Sequence, residues 1–274
     1  ALVLGGLSAW AAPLVTGVRL VPRPDAYTVD IYYTLTGGDA YITLSIETNA
    51  AAAPAWSGVR IPDRHVTRLT GDVSRLIRAS TASEKHVVWN AGEDWPGQSV
   101  AEARAKVSAW VPDAPPPYLV LDLGDASGIP LLAYTSEEAL PYGGLKSDLY
   151  RTNLLALRRV NKGAFWMGSP GSEAWRQPNE SWREVTLTND FYIGVFEVTQ
   201  GQWARVMSTA PSANVNSAGH ADKQQRPVES VTYELIRGGS WPEPDVIGAD
   251  SFVGRLRAKT GGLRFDLPTE AQWE

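Results

Sequence analysis

Between residues 29 and 46 the chain alternates apolar and polar residues with period two on both sides of a glycine pair. A β-strand satisfies that period and a helix does not. Val29, Ile31, Tyr33 and Leu35 alternate with Asp30, Tyr32 and Thr34; after Thr36-Gly37-Gly38-Asp39, Ile42, Leu44 and Ile46 alternate with Thr43, Ser45 and Glu47. Two such runs around a Gly-Gly-Asp turn predict a hairpin. A run His86-Val87-Val88-Trp89 leads into a Gly- and Pro-containing loop at 91–97, and Ala105, Val107, Ala109 and Val111 alternate with Arg104, Lys106 and Ser108. Short alternating strands with turn signals over 13–111 predict an immunoglobulin- or fibronectin-like β-sandwich. Trp89 and Trp95 are assigned to core and loop packing.

The flanking segments read differently. Residues 1–12 begin with the uncharged apolar run ALVLGGL, and Ala9 and Ala11 fit the small-x-small rule of a cleavage site. They read as the remnant of a signal peptide, so the protein is expected to be exported, to the periplasm, the cell surface or the medium. The apolar run is too short to span a bilayer. Residues 112–152 begin with Pro112, Pro115, Pro116 and Pro117 and hold six acids against two bases. They are expected to be a stiff, solvated linker, with 119–123 able to add one strand to either neighbour.

From residue 153 the pattern becomes mixed. Leu155, Leu157 and Val160, then Gly163–Met167, Val185 with Leu187, and Phe191–Ile193 read as strands. Thr199, three residues before Gln202, has the spacing of a capping box, with Trp203, Val206 and Met207 on one face of the helix that follows. A second helix is predicted over Asp250–Lys259, with Phe252, Val253 and Leu256 inward and Gly261-Gly262 as its stop. A third starts at Thr269, three residues before Gln272. Only five residues follow that cap, which is too few for a stable helix, so the gene is expected to continue. Residues 153–274 are accordingly expected to expose Trp273 and Phe265 and to unfold before the first domain. The chain as a whole reads as β-rich α+β.

Charge and composition exclude several functions. The net charge is −5 with no basic cluster, so nucleic acid is not expected as a partner. The chain has no cysteine, which removes disulfides, thiolate nucleophiles and cysteine-ligated metals from these 274 residues. Hydrolase-elbow, phosphate-loop, dinucleotide and EF-hand signatures are absent from the sequence. His65, His86 and His220 lack ligand spacing, and His86 reads as a satisfied strand residue. Glu197, Glu270 and Glu274 are the candidate acids, although Glu270 in the first turn of a capped helix needs no role beyond the helix dipole.

Four ordered motifs carry a resemblance. They are Gly163-Ala164-Phe165-Trp166-Met167-Gly168-Ser169, Phe191 to Trp203 through Glu197 and Thr199, Arg226-Pro227-Val228-Glu229-Ser230-Val231-Thr232-Tyr233, and Leu267-Pro268-Thr269-Glu270-Ala271-Gln272-Trp273-Glu274. Together they resemble the formylglycine-generating enzyme, or sulfatase-modifying factor, family. The resemblance implies a modified C-type-lectin-like fold with much irregular chain, preceded here by the kind of module found in secreted bacterial proteins. Oxidising members convert a sulfatase cysteine to formylglycine with oxygen and copper on a cysteine pair, and related members bind non-haem iron. Copper or calcium is therefore expected of a complete family domain and no cofactor of this chain. The family's cysteines lie beyond the last motif, so the motif residues Gly163, Phe165, Met167, Gly168, Glu197, Thr199, Trp203, Pro227, Val228, Leu267, Pro268, Thr269, Glu270 and Trp273 are assigned structural roles. No catalytic, cofactor or metal residue is assigned. Arg237-Gly238-Gly239-Ser240-Trp241 resembles the family's terminal motif but precedes the Leu267 motif, and is read as a local loop. The expected partner is a sulfatase or another exported protein, and the open alternatives are a non-catalytic cell-surface binding module or a non-haem iron enzyme.

Overall fold

The two alternating runs at 29–46 are strands that do not pair with each other. The computed structural model describes residues 12–49, 56, 58–125, 128–213, 222–241, 243 and 246–274, and all of the expected signal-peptide remnant except Ala12 lies outside them. The chain packs as two units, Gly6–Ala156 and Leu157–Glu274.

In the first unit, β1 (Leu14–Arg23), β2 (Thr28–Thr36) and β3 (Ala40–Asn49) are followed by β4 (Val59–Arg60), β5 (Leu69–Gly71) and β6 (Leu76–Ile77). Next come β7 (Ser80–Trp89), the single turn α1 (Ala91–Asp94) and β8 (Glu102–Trp110). One sheet has the order β1-β2-β7-β5; in the other, β3 lies between β4 and β6 and also pairs with β8. The expected hairpin is therefore a bridge between sheets. Its glycine pair carries the chain from β2 in one sheet to β3 in the other, and the Asp39 carboxylate holds the crossing by accepting from the Ala79 N–H at 2.9 Å. Period two specifies which face of a strand is buried and leaves its neighbour open. Ile31, Tyr33 and Leu35 of β2 and Ala40, Ile42, Leu44 and Ile46 of β3 share one apolar core with Val87 and Trp89 of β7. Each fully buried aliphatic there contributes roughly 1.5–3 kcal/mol.

Asp30, expected on the outer face by alternation, is buried. It pairs with Arg23 and lies 2.9 Å from His86 Nε2. His86 stacks on Tyr32 at 4.7 Å, and the Arg19 guanidinium covers the other side of that ring at 3.7 Å. Burial pushes the Asp30 carboxyl up, but its bonds to His86 and Arg23 outweigh this and hold it below its ordinary value. The loop expected at 91–97 contains α1, because the Asn90 side chain caps it by accepting from the Glu93 N–H. Trp89 donates from Nε1 to the Asp94 carboxylate at 3.0 Å, and Trp95 packs on the core.

Residues 112–152, expected as a linker, are part of this unit. β9 (Tyr118–Asp122) and β10 (Leu131–Tyr134) pair antiparallel, and Leu119, Leu121, Ala133 and Tyr150 are fully buried. The acidic excess sits on exposed turns while the apolar run 119–123 packs inward, which a charge count over the whole stretch does not reveal.

The second unit begins within β11 (Leu154–Val160), whose last four residues pair antiparallel with β14 (Phe191–Gly194). β12 (Gly163–Met167) and β13 (Arg183–Leu187) form a separate two-stranded ribbon. The helices are α2 (Gln200–Met207), α3 (Tyr233–Ile236), α4 (Phe252–Lys259) and α5 (Glu270–Trp273). α4 starts two residues later than expected, because Ser251 rather than an earlier residue caps it by accepting from the Gly254 N–H. Phe252, Val253 and Leu256 are buried as its spacing requires. Fourteen strands against five short helices among the described residues make the protein β-rich α+β, and none of these helices is long and apolar enough to cross a membrane.

Candidate functional site

The motif residues of the second unit fall into three structural groups. In the first, the Thr199 hydroxyl accepts from the Gln202 N–H and the Gln202 side chain accepts from the Thr199 N–H, so the capping box forms with both partners buried. Trp203 is buried one turn on, stacked on Phe252 at 5.2 Å with its Nε1 donating to Thr209. Pro227 bridges to Thr199, and the Val228 N–H donates to the Val198 carbonyl at 2.9 Å. Glu197 points to solvent beside them.

The second group surrounds the first residue of the 237–241 stretch, which the sequence led us to read as a local loop. Arg237 is completely buried and binds Asp266 through two nitrogens, at 2.7 and 3.2 Å. Its remaining donors reach the carbonyls of Gly238, Ser240, Glu243 and Val246. The hydrogen bond to Asp266 raises the guanidinium's already high pKa further, against the opposing effect of burial. The loop Arg237–Trp241 is thus tied to the residue just before Leu267 and Pro268. Out-of-order resemblance to a terminal motif hid this, whereas an arginine in an otherwise uncharged Gly-Gly loop was the available signal. Phe265 is 5% exposed and belongs to the core, contrary to expectation, and Arg257 of α4 donates from Nε to its carbonyl at 2.8 Å. Trp273 is 69% exposed, as expected.

The third group is an aromatic surface on the ribbon. Trp166 and Trp182 stack at 5.3 Å with their planes 11° apart, and both stay about half exposed. Trp175, in the connecting loop, is 94% exposed and has φ of +70°, a conformation that costs a bulky residue energy. Two features hold the loop in place. Arg176 donates to the Ser169 and Glu180 carbonyls at 2.9 and 2.8 Å. Gly168, at φ +87°, lets the two arms approach so closely that a Cβ there would lie 2.4 Å from the Ser181 carbonyl oxygen. Phe165 and Met167 form the inward side of β12, Gly163 starts it, and the Gly168 N–H donates to the Glu274 carboxylate at 2.6 Å. Thr269 caps α5 through Gln272, with Glu270 exposed in its first turn.

The residues present do not fit the copper centre that the resemblance implies, since the chain has no cysteine. Among the described residues no three His, Asp or Glu side chains come together as metal ligands. His65 Nδ1 lies 3.0 Å from the Asp94 carbonyl and His86 is bound to Asp30; His220 lies outside the described residues. What the second unit offers chemically is a rigid, solvent-facing aromatic surface on a framework of buried polar contacts.

This combination defines a β-rich α+β protein whose second unit is held by caps and an arginine hub rather than by a broad sheet. Residues 150–274, less than half of the chain, match the family model described as "Sulfatase-modifying factor enzyme 1-like domain". No curated protein and no solved structure matches the chain.

Proposed function

We propose that the chain is part of an exported protein of the sulfatase-modifying factor family, and that its second unit binds a protein partner, a sulfatase, through the tryptophan surface of β12 and β13. The observation that carries this reading is the exposed Trp166–Trp182 stack, with Trp175 exposed in the loop that joins β12 to β13. Large aromatic side chains left in water on a fixed loop mark interaction surfaces, and their few rotatable bonds keep the entropic cost of binding low. The family match supports the choice of partner, and the pattern of residues 1–12 supports export. The first unit serves as an immunoglobulin- or fibronectin-like module, a reading supported by two antiparallel sheets around one core.

A second reading is that the protein generates formylglycine, and the family match favours it. Without cysteine, residues 1–274 are expected to give no conversion of a sulfatase peptide, with or without added copper, when the product is read by mass spectrometry. Copper-dependent conversion by this chain would show that its chemistry does not require thiolates. The binding reading is tested by titrating an unfolded sulfatase polypeptide and following tryptophan fluorescence. Trp182→Ala is expected to weaken binding tenfold or more, and equal affinity in the wild type and Trp182→Ala would remove the surface from the account.

A further inference from the structure

The first unit contains a groove of about 800 Å3, lined by residues between Thr28 and Leu154 and independent of the surface just described. Its size falls in the roughly 300–1,000 Å3 range of small-ligand sites. One wall is the edge strand β5 with the chain on either side of it; the other is β9, β10 and the turn at Pro141–Gly143.

The charges along the groove balance. Arg64, Arg68 and Arg75 line it together with Glu93, Asp94 and Asp122, and Arg64 and Arg75 also reach Glu138 and Asp72, at 3.5 and 3.8 Å. Asp94 is committed to the wall, accepting from the Thr67 and Arg68 N–H groups, the Thr67 hydroxyl and the Trp89 indole. Arg68 pairs with Glu93 at 2.8 Å, with both side chains still more than half exposed to water. An anionic ligand would meet carboxylates here and a cationic one would meet guanidinium groups. A hydroxyl group both donates and accepts, so a chain of hydroxyls suits alternating guanidinium and carboxylate partners. Thr70, Ser74 and Asn90 extend the same chemistry.

Tyr142 stands at the rim of this groove, 66% exposed, at φ +60°. Gly143 and Gly144 continue in the left-handed region. A tyrosine in that conformation is unfavourable, and the turn keeps it there by anchoring Pro141: the Gly144 N–H and the Tyr150 hydroxyl both donate to the Pro141 carbonyl, at 3.1 and 3.2 Å. The result is a flat aromatic face displayed beside hydroxyl-binding groups.

We propose that this groove binds a neutral oligosaccharide, with Tyr142 stacking on a sugar ring and Arg68, Arg75 and Asp122 bonding its hydroxyls. The test is calorimetry on the whole chain with cellohexaose and maltohexaose as neutral probes and hexagalacturonate as the acidic one. A neutral hexamer is expected to bind with Kd of about 1 mM or tighter, and the acidic one at least tenfold more weakly. Tyr142→Gly removes the ring and relieves the backbone, so it does not endanger folding. It is expected to cost tenfold or more in affinity, and Arg75→Ala about fivefold. Binding of neither neutral hexamer, preference for the acidic one, or unchanged affinity in Tyr142→Gly would each overturn the proposal.

Discussion

The two units solve the same problem with different means. In Gly6–Ala156, alternating strands place Ile31, Tyr33, Leu35, Ile42 and Ile46 in one apolar core, and the backbone groups are satisfied by the sheets themselves. In Leu157–Glu274 regular pairing is sparse. Long irregular stretches there are satisfied by side chains, Arg237 binding four carbonyls and Asp266, and Thr199, Thr232, Ser251 and Thr269 capping the helices. The difference teaches that a chain poor in ladders needs polar side chains inside, each of which must be fully partnered. Stability in the second unit therefore rests on a few residues, whereas in the first it is spread over many.

That contrast is broken or sharpened by substitution. The largest effect is expected for Arg237→Met, on the order of 3–5 kcal/mol, because it leaves several carbonyls without partners and Asp266 with only Arg257, 3.8 Å away, to balance its charge. Segment-resolved hydrogen exchange should show the loss in residues 191–206 and leave 29–35 unchanged; a loss shared equally by both would mean the units do not differ as described. Adding Asp266→Leu to that variant should restore part of the loss, since the carboxylate that has lost its closest partner is then gone. Ile42→Ala is expected to cost the first unit roughly 2–5 kcal/mol in urea unfolding, by lost transfer energy and the cavity left behind.

Asp30→Asn tests a buried carboxylate of the first unit and should cost about 1–3 kcal/mol near neutral pH. The folded carboxyl lies below its ordinary value, so its contribution is present above about pH 4 and is lost as pH falls below that. Unfolding midpoints of wild type and Asp30→Asn should converge in acid, and parallel curves down to about pH 2 would refute the ion pair's role. The smallest effect is expected for Thr199→Ala, about 1 kcal/mol, because one cap acceptor is removed while the Trp203–Phe252 stack remains. Circular dichroism melts detect a change of that size.

Much of this was legible in residue order. Alternation identified Ile31, Tyr33, Leu35, Ile42 and Ile46 as buried, and the three-residue spacings Thr199–Gln202 and Thr269–Gln272 located two caps, because these signals are local. Four motifs in order located the segment that the family model matches, for the same reason. Tertiary structure decided the rest. It split the strands on either side of Gly37-Gly38 between two sheets, since a period fixes a face and not a neighbour. It buried Asp30 and Arg237, whose partners lie 56 and 29 residues away in His86 and Asp266. It folded the proline-rich 112–152 stretch against the first unit, and it set Trp166 on Trp182. Each of these depends on contacts between distant parts of the chain, where the free energy belongs to the pair and neither sequence neighbourhood contains it.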